Sequence, residues 1–378
     1  MIYRRFQDKD ISLLGFGAMR LPVIDGEDAR IDEEAALEMV DIAMKNGINY
    51  YDTAWGYHEG NSETFMGKVL KKYPRESFYL ATKFPGYDIS SFGKHEEIFE
   101  KQLEKCQVDY FDFYLLHNVC EMNIEQYLDS QTYGTFEYFA QQKKNGRIKH
   151  LGFSVHSNQE TFERFLERFG DSMEFCQVQL NYLDWEFQDA KLKLETLKKY
   201  DIPVWVMEPM RGGKLANLSP RHQEKIKELG GDEPVPSWAF RFVQSIDEVG
   251  VILSGMSNKK QLMDNIETFK TERALSENER KTLFEIAAEM TGETSVPCTS
   301  CRYCTSHCPQ KLDIPYLLGL YNEHIFTKEL AFLAPMALQA LDEEKRPQAC
   351  IGCRSCEDVC PQQIKISEVL TDFVNKLK

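Results

Sequence analysis

The sequence predicts an α/β fold in which eight strand–helix units close into a (β/α)8 barrel, with a small, mostly helical module after it. Three observations predict this. Eight short runs of apolar, β-branched or aromatic residues recur through the first 290 residues, separated by segments with helical spacing. At about 150 residues per domain, a chain of 378 is two domains, or one large barrel with an appendage. Eight of the eleven cysteines crowd between Cys298 and Cys360. The predicted domains are 1–290 for the barrel and 291–378 for the module.

In chain order the runs are LLGFGAM (13–19), NYYDTA (49–54), FYLATKF (78–84), DYFDFYLLH (109–117), KHLGFSV (149–155), FCQVQLN (175–181), PVWVMEP (203–209) and VGVILSGM (249–256). Nearly continuous apolar strands separated by helices imply a parallel sheet covered on its outer face. Eight units in about 250 residues match a TIM barrel. The first helix shows the local signals: Asp32 as N-cap, Leu37, Val40 and Met44 at helical intervals, and Gly47 just past the end. A doubly wound sheet with a G-x-G-x-x-G fingerprint is the alternative. Gly15-Phe16-Gly17 opens such a motif, but Arg20 stands where its third glycine belongs, and no acidic residue follows in the expected place.

With 45 Lys+Arg against 60 Asp+Glu, the formal charge is −15, divided as −13 in the barrel and −2 in the module. So acidic a chain argues against binding to nucleic-acid phosphate or to an anionic membrane. No apolar run approaches the roughly 18 residues of a membrane span. The Arg4-Arg5 pair is followed by Asp8, Lys9 and Asp10 and by no apolar leader of the export type, so the expected location is the cytoplasm. Cytosolic thiols stay reduced, which points the cysteines toward metal and away from disulfides. No internal repeat, low-complexity segment or basic-aromatic patch is evident.

Chemistry in such a barrel sits where strands end. Asp52, Lys83 and His117 close the second, third and fourth strands, and Tyr57 lies five residues beyond Asp52. Each alone reads as an ordinary cap, solvated amine, core imidazole or packed ring. Delivered to one mouth, they suit carbonyl reduction. A free phenol titrates near 10, and a nearby ammonium is expected to lower it by favouring phenolate. Asp52 would hold the ammonium of Lys83, while His117 would orient the carbonyl oxygen.

The stretches DTAWGYHEGNSE (52–63), ATKF (81–84) and LLHN (115–118) resemble the signatures of the aldo-keto reductases, in the order and spacing of that family. The resemblance covers about residues 1–290. It implies a catalytic tetrad of Asp52, Tyr57, Lys83 and His117, with Tyr57 as general acid. It also implies NADP or NAD bound across the barrel mouth without a Rossmann unit. Ser154 and Gln177 match the positions that hold the nicotinamide carboxamide. The MEPMRGGK stretch (207–214) matches the loop along the nicotinamide and pyrophosphate, implying contacts from Met207, Pro209, Arg211, Gly213 and Lys214. Gly17, Ala18 and Met19 at the first strand end join them. SGMSNKKQLMDNI (254–266) resembles the adenine-end motif, implying Gly255, Ser257, Lys259, Gln261, Asp264 and Asn265. The chain departs from the common pattern at Val155, Met207, Gly255 and Gln261, where many members carry Asn, an aromatic residue, Lys and Arg. The last two leave NADP against NAD open.

The final 88 residues carry a second chemistry. CTSCRYCTSHCP (298–309) and CIGCRSCEDVCP (350–361) both spell C-x2-C-x2-C-x3-C-P, the run of bacterial-type [4Fe–4S] ligation. Because the fourth cysteine of each run ligates the other cluster in two-cluster proteins, the expected sets cross. One is Cys298, Cys301, Cys304 and Cys360; the other is Cys350, Cys353, Cys356 and Cys308. Structural zinc is the alternative, but its sites take two Cys pairs per metal. The 41 residues between the runs include two segments of helical character, 313–324 and 327–344. The module is therefore similar to helical ferredoxins, and the whole chain to aldo-keto reductases bearing a C-terminal 4Fe-4S domain. Cys106, Cys120 and Cys176 have no spacing partner and read as core thiols, Cys120 being nearest the mouth.

The implied function is NAD(P)H-linked reduction of an aldehyde, ketone or quinone, coupled to electron transfer through two clusters. The implied partners are the small-molecule carbonyl and a redox protein, a ferredoxin or flavoprotein. A flavin would reconcile hydride with single-electron steps, but no flavin motif is evident. Two other readings stand beside it: clusters that are structural or redox-sensing, and a nucleotide-sensing barrel with little turnover.

Overall fold

The computed structural model describes residues 1–230, 233–292, 295–298, 301–302, 304–327 and 331–378. It divides into two units, Met1–Leu283 and Phe284–Lys378, the split falling inside the helix Glu277–Gly292. Among the described residues no helix is long and apolar enough to cross a membrane.

In the first unit the strands are β1 (Tyr3–Phe6), β2 (Lys9–Ser12), β3 (Leu14–Gly17), β4 (Tyr50–Asp52), β5 (Tyr79–Phe84), β6 (Phe111–Val119), β7 (Ile148–Val155), β8 (Cys176–Gln179), β9 (Val204–Met207) and β10 (Val249–Gly255). Strands β3 to β10 close into a barrel in the order β10-β3-β4-β5-β6-β7-β8-β9. Every neighbouring pair is parallel. They are the eight predicted runs, and they are apolar almost throughout because helices cover the outer face. The first helix, Glu33–Lys45, is capped as expected: Asp32 accepts from the Ala35 N–H at 3.1 Å, and Gly47 is left-handed at φ +84°. Its buried stripe is Ala36, Met39, Val40 and Ala43, one step round from the predicted face, so Leu37 and Met44 are only half-buried.

The β1–β2 hairpin has no counterpart in the sequence reading. It closes the end of the barrel opposite the mouth. Phe6 meets Trp205 and His150 edge-on, with ring centroids 5.1 and 5.0 Å apart, in a core shared with Ile11, Tyr50, Phe113 and Phe175. At that end Glu174 accepts from His150, Lys143, Gln7 and the backbone N–H of Leu151.

In the second unit the main helices are Ile314–Thr327, Leu333–Gln339 and Ile366–Lys376. Of the segment predicted helical over 327–344, Thr327 ends the helix Ile314–Thr327, Leu333–Gln339 is α-helical and Glu343–Lys345 a single 3-10 turn, while residues 328–330 lie outside the described residues. The core joins Cys304, Leu312, Ile314 and Leu318 to Cys356, Ile364, Ile366 and Leu370. That pairing exposes an internal repeat which the sequence reading did not find. Residues 52 apart correspond: Cys298 with Cys350, Cys308 with Cys360, and the helix start Ile314 with Ile366. The backbone repeats too. Arg302 and Arg354 are left-handed at φ 63° and 64°, and Lys311 and Gln363 both at 52°.

Burial alone would raise the Glu174 carboxyl, but the bonds from His150, Lys143, Leu151 N–H and Gln7 outweigh it and bring it down from 4.5 to about 2. A carboxyl with a depressed folded value stabilises fully above its unfolded value and loses that stability as pH falls toward its folded one. The window is therefore pH 4.5 down to about 2. Glu174→Gln is expected to cost about 3 kcal/mol at pH 7. The gap to the parent should shrink by more than half by about pH 3. Urea unfolding followed by tryptophan fluorescence checks this, since all four tryptophans lie in the barrel unit.

Candidate active site and cysteine centres

Asp52 is the last residue of β4, and Lys83 lies one residue before the end of β5, where β4–β5 register pairs Asp52 with Ala81. The Lys83 ammonium is wholly buried. It donates to Asp52 Oδ1 at 2.6 Å, to the Thr53 carbonyl at 2.8 Å and toward the Tyr57 hydroxyl at 3.4 Å. His117 does not close its strand as expected: β6 runs on to Val119 through a register shift in which Asn118 has φ 58°. Asn tolerates that conformation better than most residues. The His117 ring stands edge-on to Tyr57 at 6.1 Å and to Tyr87 at 5.2 Å. The structure thus brings all four predicted residues together.

The electrostatics differ from the expectation in one respect. Burial is the largest influence on the Tyr57 phenol and raises it above 10; Lys83 pulls the other way and does not prevail. Burial would likewise strip the proton from Lys83, but Asp52 and Tyr57 outweigh it and hold the ammonium above its ordinary 10.5. His117 is driven far below 6.5, first by burial and then by Lys83 and His156, so its imidazole is neutral. Its Nδ1 has no hydrogen-bond partner among the described residues.

The loop carrying Tyr57 is held from outside the tetrad by residues that sequence reasoning missed. His58 and Glu59 are both left-handed, at φ 52° and 53°, a costly arrangement for side-chain-bearing residues. His58 Nε2 accepts from the Leu21 N–H at 3.2 Å, so its Nδ1–H donates to the Asp28 carbonyl at 2.8 Å. Behind the loop, the fully buried Glu63 accepts from Thr82 and Gln102, each at 2.7 Å, and pairs with Lys105 at 3.2 Å. Gln102 also donates to the Lys83 carbonyl at 2.9 Å, and Lys105 to the Gly60 carbonyl at 3.0 Å. The NSE of the signature stretch was the only available signal.

The residues implied for the dinucleotide stand at the ends of the remaining strands. Ser154 and Gln177 are buried neighbours in register. Ser154 Oγ accepts from the Asn118 N–H at 2.8 Å, and Gln177 Oε1 has no partner among the described residues. Gly17 ends β3, where a Cβ would meet the Ser254 carbonyl at 3.2 Å; Ala18 is buried and Met19 exposed. Gly255 lies under Arg20, whose Cγ a Cβ would approach to 2.8 Å. Ser257 N–H donates to Gln261 Oε1 at 2.8 Å, Lys259 pairs with Glu38 at 2.5 Å, and Asp264 with Lys260 at 2.6 Å. Asn265 is turned inward, donating to Ser254 at 3.0 Å. Met207 ends β9 half-buried, Pro209 is buried, and Gly213 is left-handed at φ 93° beside a half-buried Lys214. Arg211 is engaged within the protein, buried against Asp184 at 2.9 Å. Asp184 went unnoticed in the sequence, and it also accepts from Gln179 and Asn181.

In the second unit, a gap lined by apolar Pro315, Leu318, Ile364 and Ile366 takes in Cys298, Cys301, Cys304 and Cys360. Burial pushes the Cys304 thiol up, with Cys298 and Cys301 adding to it. Cys356 is pushed up to about 12, first by burial, with Cys308 and Cys350 among the charges acting on it. Each run thus has its fourth cysteine beside the other run's thiols. Cys353, like Cys301, is exposed. Thr299, Ser300 and Tyr303 of the first run lie outside the described residues. Cys106, Cys120 and Cys176 are buried with thiols raised chiefly by burial, Cys120 to about 12, as befits core groups.

Residues 13–288 match the aldo/keto reductase family, and residues 297–364 match the 4Fe-4S dicluster domain. An uncharacterised oxidoreductase, YqkF of Bacillus subtilis, is 26% identical, over 73% of this chain and 92% of its own. The L-galactose dehydrogenase of Arabidopsis thaliana is 26% identical over 74% and 90%. Among solved structures, the holo form of an aldo-keto reductase of Bacillus halodurans superposes with a TM-score of 0.60 at 25% identity, covering 76% of this chain and 96% of that one.

Lys105→Met leaves the Glu63 carboxylate buried without its ammonium, for an expected loss of about 3–5 kcal/mol. Adding Glu63→Gln removes the stranded charge and should recover much of that loss. Urea midpoints of the two variants test it; equal midpoints for the single and double variants would contradict it.

Proposed function

The chain belongs to the aldo/keto reductase family, and from that premise we propose an NAD(P)H-dependent reduction of a carbonyl (aldehyde, ketone or quinone) with Tyr57 as general acid, coupled to electron transfer through two [4Fe–4S] clusters. The observation that carries the reading is the Lys83 ammonium, set between the Asp52 carboxylate and the Tyr57 hydroxyl beside a neutral His117.

Bound across the mouth, the nicotinamide cofactor supplies the hydride. Gln177 Oε1, which lacks a partner among the described residues, and Ser154 beside it offer acceptors for a carboxamide. Gly17 and Gly255 let backbone come close, and Ser257, Lys259 and Gln261 stand at the start of the helix Lys259–Thr268 for the adenine end. The Lys259–Glu38 bridge is exposed, and such bridges are weak enough to give way to a ligand. Asp264 stays at the surface for the same end, whereas Asn265 would have to exchange its bond to Ser254 for one to the base.

Within the tetrad, His117 presents a neutral imidazole to the carbonyl oxygen, so it orients without adding a second cation beside Lys83. Tyr57 gives its proton to the developing alkoxide. Lys83 then stabilises the phenolate left behind, and Asp52 keeps the ammonium in place. The raised phenol stays protonated through neutral pH, which suits reduction; the reverse oxidation of an alcohol needs the phenolate and gains as pH rises.

The eight cysteines would hold the clusters in crossed sets, Cys298, Cys301, Cys304 and Cys360 against Cys350, Cys353, Cys356 and Cys308. Their thiolates need a reducing compartment, which supports a cytoplasmic location. Electrons would pass singly between this module and a redox partner, a ferredoxin or flavoprotein. A structural role for the clusters draws support from Cys304 and Cys356, which are part of the module's core.

Tyr57→Phe is expected to lower kcat for aldehyde or quinone reduction by about 10²–10⁴-fold. In the parent, reduction should hold level through neutral pH and fall only above pH 10. Turnover by Tyr57→Phe at the parent rate would end the acid role. Anaerobic addition of NADH or NADPH, followed in the visible spectrum, should bleach the clusters if the two chemistries communicate.

A further inference from the structure

The internal repeat allows each cysteine run to serve as the other's control. Backbone, cysteine spacing, the following Pro-Gln and the start of the next helix all correspond at an offset of 52 residues. The arginines after the second cysteines correspond as well. Arg302 pairs with Asp313 at 2.8 Å and Arg354 with Glu368 at 3.3 Å. Closest to the cysteines, the charge differs in the segment between the third and fourth of each run: Thr305-Ser306-His307 in one, Glu357-Asp358-Val359 in the other.

Glu357 is fixed in place. Its Oε1 accepts from the Ser367 N–H at 2.9 Å and from the Ser367 hydroxyl, which ties it to the first turn of Ile366–Lys376. It directly follows Cys356, a buried member of the module's core. Glu357 is half-buried, so solvent screens it less than the exposed Asp358. The imbalance extends along the repeat: residues 298–322 carry a formal charge of +1, and residues 350–374 carry −2.

We propose that the two cluster sites are electrostatically unequal, the site of Cys350, Cys353, Cys356 and Cys308 having the lower reduction potential, so that the first electron to enter the module rests at Cys298, Cys301, Cys304 and Cys360. Reduction adds one negative charge, and a fixed carboxylate nearby opposes it; net local charge is among the determinants of cluster potential. At the equivalent place the other site has the neutral Thr305. The inference rests on the crossed ligation proposed above.

The test uses the full chain, purified without oxygen and titrated with dithionite and mediators while EPR follows the clusters. Two one-electron steps are expected. Glu357→Gln should raise the lower step and leave the upper one in place. It keeps an acceptor for Ser367, so the fold is retained, as far-ultraviolet circular dichroism will report. Thr305→Glu should lower the upper step and narrow the gap. A single shared step in the parent, or a Glu357→Gln shift confined to the upper step, overturns the proposal. Iron analysis separates the two levels: a count well below about eight per chain overturns the two-cluster ligation itself.

Discussion

A lysine ammonium wholly removed from water is the constraint around which the barrel's mouth is built. An unpaired charge at that depth would give up its proton, because desolvation penalises the charged form most. Lys83 keeps its own because Asp52, 2.6 Å away, and Tyr57 outweigh that penalty, while the Thr53 carbonyl accepts from it at 2.8 Å. Asp52 and Thr53 sit at the end of β4, so the neighbouring strand β5 must present Lys83 at matching height. The register that pairs Asp52 with Ala81 does this. Closing eight parallel strands is therefore what makes the charge affordable, and the same charge adds to the burial that keeps His117 neutral and sets the surroundings of Tyr57.

Around this pair, a second layer fixes backbone where the tetrad fixes side chains. Gln102 holds the Lys83 carbonyl, and Lys105 holds Gly60 in the loop that begins with Tyr57. Both converge on Glu63, itself fully buried. On the far side of the loop, His58 ties it to the segment near Asp28 and Leu21. Two left-handed residues in succession persist only when their surroundings over-determine them, and here these contacts do so. Tyr57 owes its position to residues outside the tetrad.

How much of this was legible in the sequence follows from the range of each signal. The barrel strands were legible because a strand buried on both faces must be apolar throughout. The tetrad was legible because strand ends in a closed barrel converge. The β1–β2 hairpin was not: its arms are four residues each and half charged, so no alternation stands out. Nor could spacing show that burial outweighs Lys83 at the Tyr57 phenol, since sequence gives neighbours and not depth. Arg211 illustrates the same limit. Its position pointed to a cofactor, while its engagement with Asp184, 27 residues earlier, exists only in the fold. Of the 52-residue repeat only the cysteine runs were legible, because beyond them few identities survive; a common backbone and a shared core revealed the rest.

The two halves differ in how they handle electrons. In the barrel, Tyr57 is kept protonated and His117 neutral, an arrangement suited to moving a proton together with an electron pair. In the module, cysteines of the two runs approach one another, Cys360 beside Cys298, Cys301 and Cys304, and Cys308 beside Cys350 and Cys356, and the proposed clusters would move electrons singly. Two sites together match one hydride in number, but only a pair of unequal sites can hold a single electron at a defined place while the second is awaited. The carboxylate of Glu357, fixed by Ser367 on one side of an otherwise repeated backbone, is the feature of this chain that makes the sites unequal. It changes no ligand and disturbs no helix, so the module can be biased without any change to its fold.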